Sequence, residues 1–478
     1  MTQTINIFKQ NFQTYKNLLA CLTCFWAFHY IVLWSSSFIP ENSTSNLDLS
    51  SDLIWIIAVS CNAFALAVFS GFISKLRNLN YLRFSRMSCI TTAIGIALIT
   101  TRLAYVGFAW DISYLIGIAL LGIGTGFFMA CLGELFCTMQ PQTTFMGMAA
   151  GFVGGSLLSL IVTVIFVPIA VWIVTTLLPL AVAFFYRRAL LETRKTPESI
   201  PTRQTTKDTL SPSSFLLLVA VIGVTAGIMR FTSHASSTAM VGDHVFTLAV
   251  LATGLVLLAL SSSIGKLQPT LLLQIVIIAI AGAFIALALL AREVPVIAFV
   301  LHTAAFLCFV ALVWFFCTYF AHKNASGSRG FSVGLLANQA GQALGSLGYF
   351  GAVVLFGSTD SLSLYISLGV VYALFVVALI FFANMNRAKQ SNLSQLASSD
   401  LQLALDTLSS HYDLTPRETE IALLIAEGNS RSSIAEALTV SQETVKTHIK
   451  HLYQKLNIHS RDELVKLLLH EIEHTFSL

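Results

Sequence analysis

Residues 414–469 read LTPRETEIALLIAEGNSRSSIAEALTVSQETVKTHIKHLYQKLNIHSRDELVKLLL, and their punctuation predicts four short helices. Thr415 precedes Pro416 and stands three residues before Glu418. A threonine followed at that distance by glutamate forms a capping box, and proline at the first helical position is already set for the turn. A helix is therefore expected over 416–427, with Gly428 as its left-handed stop. Ser430 caps a second helix ending at Leu438, Thr439 and Val440 make a tight turn, and Ser441 caps a third helix over 442–457. Together these predict a helix-turn-helix, in which the small Ala435 lets two helices pack at a steep angle.

At 100° per residue the third helix gathers Val445, Ile449, Leu452 and Leu456 into one apolar stripe. Lys446, Thr447, Lys450 and Gln454 fall on the opposite side. These are long, cationic or hydrogen-bonding side chains, and the major groove of double-stranded DNA admits a helix that presents them to base edges. A solvated charged face is the ordinary explanation of such a side. It loses here because two capped helices and a tight turn precede the stripe at the right spacing. His448 lies beside the core face, where it packs or reaches a phosphate.

The same residues closely resemble the LuxR/FixJ-type DNA-binding domain. Its pattern is met by LTxRExE at 414–420, Gly428, IAxxL at 434–438, TVKxH at 444–448, Lys455 with Leu456, and Ser460 with Arg461. RSSIA stands at 431–435 where that family often has NKEIA. The resemblance implies base contacts from Lys446, Thr447 and Lys450, with flanking polar groups on phosphates. Gln454 on the same face, and Ser441, Thr444, His448, Lys455, Ser430, Arg431 and Thr415 around it, complete the candidate DNA-binding residues.

Residues 391–478 hold 7 basic and 12 acidic side chains, a net charge of −5. Phosphate contacts normally dominate affinity for DNA, so one copy is expected to bind weakly and two copies to be needed on paired half-sites. The last helix carries Leu464, Val465, Leu467, Leu468, Leu469 and Ile472, more than one buried face requires. A homodimer contact or a fully buried terminal helix would absorb them, and the family resemblance implies the dimer. Upstream, leucines 393, 396, 401, 405 and 408 have irregular helical spacing in a polar stretch, either a short helix or a flexible tether. The chain thus divides into a membrane domain over 1–386, a linker over 387–412 and a DNA-binding domain over 413–478.

The membrane assignment follows from composition. The whole chain is 56% hydrophobic and 10% charged, with a mean hydropathy of +0.78, whereas a soluble protein carries roughly 25% charge. A helix needs about 20 predominantly apolar residues to cross a bilayer. Twelve stretches qualify: 17–39, 52–74, 87–107, 112–139, 145–166, 167–186, 214–232, 244–264, 270–290, 295–320, 330–356 and 361–384. The fold class is accordingly all-α. The first stretch is long and lacks a small-residue cleavage site, so it reads as a span and not as a signal peptide. With twelve spans, 17 of the 20 Lys and Arg before residue 391 fall on segments of one side. The positive-inside rule makes that side the cytoplasm of a bacterium and places both termini there. All eight cysteines lie in apolar stretches and read as small apolar residues.

The basic loop over 187–213, with Pro197, Pro201 and Pro212, separates six spans from six. Gly147, Gly151 and Gly155 in the fifth span have counterparts in Ala337, Gly341 and Gly345 of the eleventh, and small residues at this spacing let helices approach closely in lipid. Six spans, a long loop and six spans resemble the major facilitator superfamily, whose halves are related by pseudo-symmetry. In the loop GFISKLRNLN at 71–80, Lys75 stands where transporters of that family usually have an acid.

Polar residues within the spans are His29, Asn62, Arg102, Glu134, Arg230, His302, Asn338, Gln339 and Gln342. The resemblance implies that spans one, four, seven and ten line a central cavity, which makes His29, Glu134, Arg230 and His302 the candidate ligand-binding residues. The alternatives are that Arg102 and Arg230 snorkel to the outer interface and that the histidines are hydrogen-bonded packing residues. No receiver domain or soluble ligand-binding domain precedes the tail, so the expected function is a membrane-bound transcriptional regulator whose spans sense a small molecule. A secondary transporter with a fused regulatory tail is the second reading, and spans that merely tether the regulator are the third. No Gly-rich phosphate loop, metal-ligand cluster or nucleophile with a base points to an enzyme or a cofactor.

Overall fold

The computed structural model describes residues 2–35, 38, 51–75, 79–105, 107–195, 212–237, 243–264, 269–290, 294–323, 326–357, 360–426, 429–460, 463, 464, 467 and 468. It divides into two compact units, Met1–Phe381 and Phe382–Leu478. Among the described residues there are fifteen α-helices and no strand.

The first unit is a bundle of twelve helices. They are α1 (Thr2–Trp34), α2 (Ser51–Gly71), α3 (Tyr81–Ala104), α4 (Phe108–Phe136), α5 (Pro141–Ile165), α6 (Pro168–Lys195), α7 (Pro212–Ser237), α8 (Asp243–Ile264), α9 (Pro269–Leu290), α10 (Pro295–Lys323), α11 (Gly327–Phe356) and α12 (Asp360–His411). Among the described residues, eleven of them are long and apolar enough to cross a membrane. The exception, α11, is diluted by Asn338, Gln339, Gln342 and its glycines. It holds its place through buried contacts, with Asn338, Gln342 and Ser346 all inside the bundle.

Several helices outrun their apolar stretches. The α6 helix continues to Lys195, through the start of the expected basic loop, while α1 begins at Thr2 and leaves helical geometry at Tyr15 before its apolar part. The stretch expected as either a short helix or a tether is helical through His411, as the end of α12.

Helix pairings repeat between the halves with an offset of six. The α5 helix packs on α1 as α11 packs on α7, and α4 packs on α2 and α3 as α10 packs on α8 and α9. The cross-half contacts obey the same offset: α2 meets α11 where α8 meets α5, and α4 meets α11 where α10 meets α5. The small-residue stripes mediate the first of these pairings. Gly151 and Gly155 lie against Leu22 and Trp26 of α1, and Gly341 and Gly345 against Ala220 and Val224 of α7. The backbones of α3 and α4 also approach closely, where a methyl group at Gly95 would fall 2.6 Å from the Gly117 carbonyl oxygen, and the α7 and α11 backbones come nearer still at Gly345 and Val224. Tyr81 on α3 shares a 2.6 Å hydrogen bond with Ser328, and Arg329 donates to the Ser70 carbonyl at 3.2 Å, pinning α11 across the halves. All eight cysteines are free and at least half-buried.

Arg102 does not snorkel. It is 3% exposed and pairs through Nε with Asp111, which is fully buried in the first turn of α4. Removing one member of a buried pair strands the other charge at a cost of about 3–5 kcal/mol, whereas replacing both by apolar groups costs much less. Asp111→Asn should therefore lower the thermal unfolding midpoint of the detergent-purified chain more than the double replacement Arg102→Met with Asp111→Leu, as followed by intrinsic fluorescence.

Candidate nucleic-acid interface and membrane cavity

In the second unit three helices follow α12: α13 (Pro416–Ala426), α14 (Arg431–Ala437) and α15 (Gln442–Leu456). Their caps are those the sequence predicts. The Thr415 amide donates to Glu418 Oε2 at 2.9 Å and the Glu418 amide to Thr415 Oγ1 at 3.3 Å, closing the capping box. Ser430 accepts from the Ser433 amide and Ser441 from the Thr444 amide. Thr439 takes the turn with a φ of 54°, and Asn457 ends α15 in the left-handed region. Gly428 and Arg461 lie outside the described residues.

Val445, Ile449, Leu452 and Leu456 are buried against Ile421, Ile425, Ile434 and Ala435. This core begins earlier than the expected boundary at 413, since Ala404, Leu405 and Leu408 at the end of α12 belong to it. Leu464 and Leu468 are also buried there. Val465, Leu469 and Ile472, part of the expected dimer surplus, lie outside the described residues.

With the stripe buried, Lys446, Thr447, Lys450 and Gln454 are exposed, and His448 is half-buried beside them. Arg431, from the start of α14, shares one concave surface with these four exposed residues of α15. Glu443 lies on the same surface and pairs with Lys446 at 2.9 Å, with both side chains well exposed. A bond of that kind contributes little and yields readily to a phosphate.

The structure separates the other predicted residues into different roles. Ser430, Ser441, Thr444 and Thr415 are bound into helix caps. Lys455 donates to the Asp413 carbonyl at 2.7 Å and to Glu418 Oε2 at 2.8 Å. Its ammonium holds α15 to the α13 cap. Arg417 is a residue that the helix wheel alone does not single out: it donates to the Leu438 carbonyl at 2.9 Å, tying α13 to the turn of the helix-turn-helix.

Within the first unit, a cavity of about 80 Å³ opens between the halves. Of the four candidate ligand residues, His29 lines it and Glu134, Arg230 and His302 do not. Glu134 is half-buried near the end of α4, within electrostatic range of Tyr81 and Tyr186. His302 is buried beside Phe299 and within range of Arg230. Nor does Arg230 snorkel. It is 3% exposed, donates to the Leu33 carbonyl at 2.8 Å, and lies 3.8 Å from the Trp34 ring centre and 4.4 Å from that of Trp55. Those two rings form part of the cavity wall, so Arg230 backs the cavity from behind. Asn62, Asn338, Gln339 and Gln342 do line it. The sequence reading missed the aromatic shell of Trp26, Tyr30, Trp34, Trp55 and Trp314, although the spacing of four between Trp26, Tyr30 and Trp34 marks one face of α1.

Comparison with known proteins follows this division. Residues 412–468 match the model for bacterial regulatory proteins of the luxR family, so the second unit carries a LuxR-type helix-turn-helix. An uncharacterized response regulatory protein, YgeK, of Escherichia coli is 38% identical over 92 residues, covering 18% of this chain and 63% of that protein. The transcriptional regulator MalT of Vibrio cholerae is 51% identical over 53 residues, covering 11% of this chain and 6% of that one. The chain therefore spans less than two thirds of the length of these relatives. The first unit is similar to a bacterial homologue of the iron transporter ferroportin solved in an outward-facing state, with a TM-score of 0.54 at 11% identity, covering 78% of this chain and 99% of that one. This likeness is one of fold. The pairings that repeat with an offset of six, from α1–α5 to α7–α11, are consistent with the pseudo-symmetric halves that the sequence reading expects. The protein is thus a multi-pass membrane unit joined to a DNA-binding regulator domain.

Burial pushes the Glu418 carboxyl up, but hydrogen bonds from Lys455 and from the Thr415 amide and hydroxyl outweigh it and hold the group below its usual value of 4.5. A carboxylate depressed in the folded state stabilises above its unfolded value and loses that contribution as pH falls through the folded one. Glu418→Gln should speed amide hydrogen exchange in α13 and α15 by roughly tenfold at pH 7, the worth of one charge-assisted bond. The ratio of variant to wild-type exchange at equal pH should fall toward one below about pH 4.5.

Proposed function

We propose that the protein is a membrane-bound transcriptional regulator of a bacterium, in which a small molecule held in the cavity of the first unit controls DNA binding by the second. The observation that carries this reading is one chain holding both a reader and a cavity: a LuxR-type domain with a cationic face of Arg431, Lys446 and Lys450, and a polytopic bundle with an internal cavity walled by aromatic rings and amides. One span would suffice as an anchor. Twelve packed helices around a cavity exceed what tethering requires.

In this reading both termini lie in the cytoplasm, as the distribution of Lys and Arg supports. Lys446, Thr447, Lys450 and Gln454 meet base edges, Arg431 meets phosphate, and His448 packs or reaches a phosphate. Ser430, Ser441, Thr444, Thr415 and Lys455 act by holding the helices that present them. The ligand controls DNA binding only if it binds the competent and incompetent states differently, and a tenfold preference corresponds to about 1.4 kcal/mol. Two copies on paired half-sites offset the net charge of −5 over residues 391–478.

A secondary transporter with a regulatory tail is favoured by one observation, the shared fold with a transporter homologue. Accumulation of a labelled ligand in vesicles would support it, whereas saturable binding without accumulation supports the sensor.

Lys446→Ala and Lys450→Ala should each abolish promoter occupancy in cells while leaving the protein in the membrane fraction at its normal level. Chromatin immunoprecipitation of both variants checks this, and undiminished occupancy by both would overturn the reading.

A further inference from the structure

The cavity of the first unit has a chemical signature that its polar residues alone do not convey. Four of its lining residues carry side-chain atoms that are buried with no hydrogen-bond partner within the chain: Trp26 Nε1, Trp55 Nε1, Tyr30 Oη and Asn62 Oδ1. Nearly every buried polar atom in a folded protein is partnered by protein or ordered water, so four such atoms on residues of one cavity wall point to a hydrogen-bonding occupant there. The Asn62 amide is fixed by its own nitrogen, which donates to Thr125 Oγ1 at 3.1 Å and leaves Oδ1 as the acceptor. His29 Nδ1 lies 2.7 Å from the Phe25 carbonyl, which can only accept, so the neutral ring offers Nε2 as a second acceptor. These five lining residues therefore carry two fixed donors, two acceptors and one hydroxyl that can do either, beside the amides of Asn338, Gln339 and Gln342 on the same wall.

The ligand must supply both donors and acceptors in a small space, which hydroxyl groups do. At about 10–15 Å³ for each water-sized position, the cavity holds about six such positions, the size of one ring. Indole rings supply flat faces to stack on it. Charge is disfavoured in either sign. Among the described residues none that lines the cavity is charged. The Arg230 guanidinium already occupies faces of Trp34 and Trp55 that a cation would otherwise take. Arg230 itself is not among the residues that line the cavity, so an anion would have to enter without a charged group in the wall.

We propose that this cavity binds a small uncharged ring compound bearing two or more hydroxyl groups, held by Trp26, Trp55, Tyr30, Asn62 and His29. This deepens the sensor reading, resting on it for the identity of the site. A phenol and a monosaccharide share this chemistry, and the test separates them.

The full chain, purified in detergent, is titrated calorimetrically with resorcinol and with glucose, and with benzoate, benzylammonium and toluene for comparison. Saturable binding of resorcinol or of glucose, at least tenfold tighter than that of the other three, is expected, and which of the two binds identifies the phenol or the saccharide. Tyr30→Phe deletes one hydrogen-bonding atom and keeps the ring, while Trp55→Phe removes the indole N–H and leaves a smaller aromatic ring, so each should weaken that binding by about threefold to tenfold. No saturable binding by either hydroxylated probe, equal or tighter binding of any of the other three, or unchanged affinity in both variants would overturn the assignment. Promoter occupancy measured with the same probe distinguishes the two claims: a probe that binds as described without moving occupancy supports the ligand assignment and sinks the sensor reading.

Discussion

Hydrocarbon offers a peptide group nothing to hydrogen-bond with, and an unpaired amide there costs several kcal/mol. Every span in this chain must therefore satisfy its backbone internally as a helix before any side chain is considered. Once that is done, apolar surface no longer drives the helices together, because lipid is as apolar as leucine. What remains is close contact, which explains why Gly95 meets Gly117 and why the stripes of α5 and α11 fall on α1 and α7. The same scarcity of partners makes each buried polar group consequential. Arg102 finds Asp111, Arg230 finds two indole faces and a carbonyl, and Gln342 finds Asn338 at 3.1 Å.

The second unit obeys the opposite rule. In water the apolar stripe of α15 is the driving force, and caps and ion pairs set where each helix starts and stops. Lys455 and Glu418, 37 residues apart, join the recognition helix to the α13 cap through one carboxylate that also closes the capping box. The cationic face can then remain free of structural duties, since Lys446 and Lys450 are exposed and the lysine with a structural duty is a different one.

This contrast decides what could be read from residues alone. Caps and stripes are local, so Thr415 with Glu418, Ser430, Ser441 and the four buried residues of α15 were legible from spacing. The division into six helices and six was legible because apolar length and basic loops are also local properties. Cavity walls are not. The cavity draws on Trp26 and Tyr30 from α1, Trp55 and Asn62 from α2, Phe246 from α8 and Gln339 from α11, and no periodicity within one helix reports which faces converge. Polarity was therefore a partial guide. Of the four candidates it placed at the cavity, His29 lines it, and Glu134, Arg230 and His302 do not. The bond from Lys455 to Glu418 was not legible for the same reason, since its partner lies in a helix distant in sequence.

Under the ligand control proposed for this protein, the acidic balance of the second unit has a consequence. A reader that bound DNA very tightly would stay bound whatever the state of the membrane unit, because a coupling of about 1–3 kcal/mol cannot empty a site saturated a thousandfold. With 12 acids against 7 bases over residues 391–478, and with Glu443 beside Lys446, intrinsic affinity is held down. Occupancy near half-saturation is where a small shift in the fraction of competent molecules changes binding most. In a regulator confined to the membrane, weak intrinsic affinity and modest coupling are thus two parts of one requirement. A strongly basic tail would satisfy the chemistry of DNA binding and defeat the ligand control proposed for it.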